Sequence, residues 1–150
     1  MDEVFNTPFE VSLRMLLVLA FDKSSAKNVD MITTLDFMAA YGRSFGITQY
    51  NLHGDNAFNF SEFASRRELT QRALRHLVLN RLVDVHQQDD GFYYTISENG
   101  LTLSTKFDSN YAEEYRATME LVLKHIKEKP ESEIYAMINH LSTISLQGGR

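Results

Sequence analysis

The sequence predicts a mainly α-helical chain with one small β-hairpin, in the α+β class. Three observations lead there. Several stretches repeat apolar residues at the three-to-four spacing of a helix with one buried stripe. Val83 to Ile96 instead alternates, and Asp89-Asp90-Gly91 interrupts it with the chemistry of a hairpin turn. From Phe60 to Leu101 the order reads short helix, turn, longer helix, hairpin. That order is a winged helix-turn-helix, here followed by C-terminal helices.

The first helix has a clean start. Thr7 is an N-cap residue, Pro8 occupies the first helical position, and Glu10 stands three residues after Thr7. Phe9 to Phe21 is apolar nearly all round, which places the helix deep in the core. Asp22 to Asn28 reads as a polar loop. A second helix is expected over Val29–Tyr41, with Val29, Ile32, Leu35 and Met38 or Ala39 on one buried face and Gly42 as its stop. The stretch Arg43–Asn59 mixes glycine and asparagine with Phe45, Ile47, Tyr50, Leu52 and Phe58. So many large apolar side chains predict an ordered loop that packs onto the domain, with the aromatic set serving as packing.

In the winged-helix stretch, a short helix starts at Ser61 and a turn lies near Arg67–Thr70. The longer helix then ends near Arg81, with Leu69, Ala73, Leu74, Leu77, Val78 and Leu82 inward. Phe92, Tyr94 and Ile96 share one face of the return strand, and Tyr93 and Thr95 the other. Further helices are expected over Ser97–Phe107, Tyr111–Lys129 and Glu131–Leu146, the second stopped by Pro130. Ala112, Tyr115, Met119, Val122 and Ile126 form its apolar stripe. Residues 1–108 are therefore read as a winged-helix domain with N-terminal helices and the ordered loop 43–59. Residues 109–150 are read as a helical pair that packs on that domain or on a partner.

Composition narrows the function classes. The chain of 150 residues carries a net charge of −5 and no cysteine. There is no apolar run near the ~20 residues of a membrane span and no signal-peptide pattern, so a cytoplasmic location without membrane contact is expected. Absence of cysteine removes disulfides, thiolate metal sites and cysteine nucleophiles. The histidines show no metal-ligand spacing, and no phosphate loop is present, so neither metal nor other cofactor is expected. His53 and Asp55 stand two apart like a base and its orienter, but no nucleophile accompanies them. Their expected role is local turn structure, and no enzymatic activity is predicted.

Arg72, Arg75, His76 and Arg81 line the outward face of the longer helix and are the candidates for nucleic-acid contact. On that ground a stand-alone winged-helix transcription regulator is the alternative reading. Asp84, Asp89 and Asp90 on the wing oppose it, because they would face a phosphate backbone with negative charge.

TPFEVSLRMLLVLAF, LDFMAAYGRSFGI, NLHGDNAFNFSEFASRRE and LVLNRLVDVHQQDDGFYYTISENG together resemble the middle components of bacterial ABC-three-component systems, nearest to middle component type 2. The resemblance covers most of residues 5 to 128, and the part after Pro130 matches no pattern. Such systems combine an SMC-like or ABC-type ATPase, a small middle protein and an effector, often a nuclease. They act against phage or plasmids, and the Lamassu group belongs to them. The resemblance implies a non-enzymatic adaptor that docks near the ATPase head and holds the effector inactive until foreign DNA is sensed, with DNA met through the complex. Its motif positions give the interface candidates Asn51, His53, Asp55, Phe58, Phe60, Glu62, Arg66 and Arg67. On this reading the loop 43–59 and the helix bearing Arg66 and Arg67 form one aromatic-centred, polar-rimmed patch.

Overall fold

The structure is a computed structural model that describes residues 7–52 and 60–148, with side-chain surroundings described for 7–52 and 62–139. Among the described residues it is mainly helical with one two-stranded antiparallel hairpin. The elements are α1 (Pro8–Phe21), α2 (Val29–Ala40), α3 (Phe60–Leu79), β1 (Val83–Gln88), β2 (Gly91–Ile96), α4 (Glu98–Ser104), α5 (Asn110–Ile126) and α6 (Glu131–Gly148).

The helix starts follow from the sequence. Thr7 Oγ1 accepts from the Glu10 amide at 3.2 Å, Asn28 Oδ1 from the Met31 amide at 2.8 Å, and Ser97 and Ser109 cap α4 and α5 in the same way. α2 is the centre of the domain. One buried face was expected; instead Val29 and every residue from Met31 to Ala40 is buried. The reason is that α1, α3, α5 and β2 all pack against this helix. Ile134 and Ile138 of α6 are also buried in the common core.

The expected break at Arg67–Thr70 is not there. α3 runs unbroken from Phe60 to Leu79, so no helix-turn-helix lies within that stretch. No proline or glycine interrupts it. Glu62–Arg66 and Glu68–Arg72 pair at the supporting i,i+4 spacing. The buried stripe also continues through the supposed turn, because Arg66 and Thr70 are buried in line with Ala73, Leu74 and Leu77.

The end of α3 is a Schellman turn: the Leu82 amide donates to Leu77 O and the Arg81 amide to Val78 O. Arg81 holds φ +62 there, a conformation that favours glycine. The hairpin pairs Val83 with Ile96 and Gln88 with Gly91 across Asp89-Asp90, and Gly91 supplies φ +131. Lys27 adds an antiparallel bridge to Tyr94 on the far edge of β2. This ties the loop between α1 and α2 to the hairpin.

Candidate functional site

The polar groups of the core converge on Asp36, an α2 residue only 1% exposed. It accepts from Arg14 Nε of α1 at 2.9 Å and Nη2 at 3.3 Å, from Arg66 Nη1 of α3 at 3.1 Å, and from Tyr115 OH of α5 at 2.6 Å. One carboxylate thus ties four helices together. Arg66 Nε also lies 3.5 Å from Glu62 Oε2, and Tyr41 OH donates to the same Glu62 oxygen. The Arg66 guanidinium stacks over the rings of Phe37 and Tyr41, 5.7 and 5.5 Å from their centroids.

Electrostatics follow from this geometry. Burial lowers the Arg14 pKa, but Asp36, Tyr111 and Tyr115 outweigh it and hold the group above the usual arginine value. Burial, then the charge of Asp36, pushes the Tyr115 phenol well above its ordinary value. Burial and donation to Glu62 raise Tyr41. Arg14, Tyr41 and Tyr115 therefore hold their protons more tightly than the free side chains do.

The interface candidates separate on this ground. Arg66 is 3% exposed and belongs to the core, which corrects its expected place on a surface patch: the carboxylate of Asp36 compensates its charge only inside. Glu62 is half-buried beside it. Arg67, one position round the helix, is 40% exposed and pairs with Asp30 at 2.6 Å. Asn51 folds its loop, with Oδ1 accepting from the amides of Arg43 and Ser44. Phe45 is buried edge-on against Phe37, and Phe63 packs on the same ring. The loop does pack down as far as Leu52, whose side chain is half-buried against the core. His53, Asp55 and Phe58 lie outside the described residues, as does the side chain of Phe60.

The nucleic-acid candidates Arg72, Arg75, His76 and Arg81 are all exposed. Arg72 pairs with Glu68 at 2.7 Å. Asp84, Asp89 and Asp90 are exposed on the hairpin. Beside Arg72 and His76 the surface drops into a groove of about 780 Å³ between α1, α3 and the end of α4. Pro8, Phe9, Val11, Leu13 and Leu16 form one wall, Leu69, Ala73, Leu77 and Leu82 the other, and Leu103 and Phe107 close one side. Phe9 is 68% exposed at its mouth.

Sequence reasoning missed Arg14 and Asp36. Their signal was a charge set among apolar neighbours in the body of each helix, beyond Glu10 and Asp30 of the first turns, since a charge that cannot reach water must have a partner. Among the described residues no group of three His, Cys, Asp or Glu side chains could hold a metal ion, and no helix is long and apolar enough to cross a membrane.

Residues 4–147 match the family model described as ABC-three component (ABC-3C) system Middle Component 2. The match runs past Pro130 through most of α6, beyond the stretch in which motifs were legible. No curated protein and no solved structure matches the chain. A single family model that takes in the hairpin, the Asp36 cluster and both C-terminal helices accounts for nearly the whole sequence, and the chain belongs to the Middle Component 2 family of ABC-three component systems.

Proposed function

We propose that this chain is a non-enzymatic adaptor that links an SMC- or ABC-type ATPase to an effector, often a nuclease, in an anti-phage or anti-plasmid defence complex of the Lamassu-like kind. Membership of a middle-component family carries the reading, because a middle component has other subunits to work with. The polar interior supports it. Arg14, Arg66 and Tyr115 all bond to Asp36 inside the core, an arrangement that rigidifies a scaffold.

We also read the fold as a winged helix, displaced from where the sequence suggested it. α1, the Lys27 bridge, α2, α3, β1 and β2 follow the order helix, strand, helix, helix, strand, strand. In this assignment α2 and α3 are the helix pair and the hairpin is the wing. Its acidic residues Asp84, Asp89 and Asp90 favour protein contact over a phosphate backbone.

The test is co-expression of the tagged chain with the ATPase and effector encoded beside it. Both are expected to co-purify, and the isolated chain is expected to bind short duplex DNA weakly. Tight, sequence-selective DNA binding by the isolated chain, with neither subunit retained, would overturn the adaptor reading in favour of a transcription regulator.

A further inference from the structure

The groove between α1 and α3 has a chemistry that selects its occupant. Its walls are apolar, and a volume of about 780 Å³ accommodates several large side chains. Among the described residues that line it, Arg72 carries a charge with His76 beside it, both on the α3 side, and none is acidic. Arg75 on α3 and Arg81 just past its end are exposed outside the groove. Glu68, the acidic neighbour, is already engaged by Arg72. On the opposite rim α1 presents Pro8, Phe9 and Ser12, which carry no charge.

We infer that this groove is the docking site for an amphipathic helix of a partner subunit, with an apolar stripe that enters the groove and acidic residues that meet Arg72 and His76. The inference rests on the adaptor reading and names the surface that reading needs. An apolar floor with a one-sided charged rim is the geometry of helix-in-groove recognition, in which residues at i, i+3 or i+4, and i+7 supply the anchors. Apolar anchors in the floor give affinity, and Arg72 on one rim sets the orientation and disfavours a basic helix. A nucleic-acid backbone fits less well. Phosphates gain nothing from Phe9, Leu13 or Phe107, and the groove gives them only one edge of positive charge.

The test uses the full chain and two labelled helical peptides that share one apolar stripe of Leu and Phe. One carries Glu on its flanks and the other Lys. The Glu peptide is expected to bind at least ~10-fold more tightly than the Lys peptide. Phe9→Ser should weaken the Glu peptide by about 10-fold or more, as expected for an apolar anchor contact. Arg72→Glu with His76→Glu should reverse the preference between the peptides. All three positions are at the surface, so circular dichroism should confirm an unchanged fold. Equal binding of both peptides, binding unaffected by these changes, displacement of the Glu peptide by duplex DNA, or self-association of the chain through the groove overturns the inference. The variants are then carried into the co-expression experiment. If the wild-type chain retains its subunits and the groove variants lose one, the inference stands. If the variants retain both, the groove proposal falls while the adaptor reading survives. If the wild type retains neither, the adaptor reading fails, and the partner-helix assignment falls with it.

Discussion

Arg14 and Asp36 are 22 residues apart in sequence and meet at 2.9 Å in the centre of the core, each 1% exposed. The pair fixes how α1 crosses α2. Arg66 and Tyr115 reach the same carboxylate, so α3 and α5 are held at that crossing too. A buried ion pair adds little net stability over an apolar replacement, but loss of one partner strands the others without water.

Asp36→Ala is therefore predicted to lose about 3–5 kcal/mol, because it removes the buried carboxylate that two buried guanidinium groups share. Urea unfolding of the variant and the wild type measures this. A loss below about 1 kcal/mol would mean that water reaches the site and the groups are not buried as described.

Stability should fall at alkaline pH. Tyr41, Tyr111 and Tyr115 all have folded-state values raised above that of an ordinary phenol, with burial the leading cause in each. They bind protons more tightly when folded. Their contribution is complete below pH ~10, where the unfolded phenols titrate, and is lost as pH rises toward the folded values. Melting temperatures from pH 8 to 12 should drop beyond pH ~10. Tyr115→Phe should lower neutral-pH stability by about 1–2 kcal/mol and flatten the alkaline decline. A flat profile in the wild type would show that these phenols ionise as freely in the folded state as in the unfolded one.

Arg81 occupies the C′ position of α3 with φ +62. Arg81→Gly is expected to relieve this and to stabilise by up to about 1 kcal/mol, despite the greater freedom of glycine in the unfolded chain. Thermal melts read the sign, and a clear destabilisation would mean that the side chain makes a contact worth more than the strain.

Gly100 presses α4 against the turn that follows α3. A Cβ there would lie 2.1 Å from Leu82 O and 2.7 Å from Ile96 Cγ1. Neither the backbone nor the buried strand end can move aside freely, so Gly100→Ala is predicted to cost about 1–3 kcal/mol. Gly91→Asn meets no atom within 4 Å but must hold φ +131, so its cost of about 1–3 kcal/mol is backbone strain instead of a clash.

What the sequence made legible is local. The Thr7 cap, the Asp89-Asp90-Gly91 turn and the Tyr115 stripe depend on residues a few positions apart, and all appear in the structure. The expected break near Arg67 is absent, because the buried stripe of α3 continues through it. Arg66 belongs inside, and its partner Asp36 lies 30 residues away, where no periodicity points to it. The groove was illegible for a similar reason. Its walls come from the start of α1, the middle of α3 and Phe107, which only the fold brings together. Arg72 and His76 were recognised as exposed, but the apolar floor beside them gives that face a different meaning.

The adaptor proposed here must bridge two other subunits, and reconstitution of the tagged ATPase and the effector with and without this chain tests that bridge. The ATPase is expected to retain the effector only when this chain is present. Equal retention of the effector in its absence would rule the bridge out.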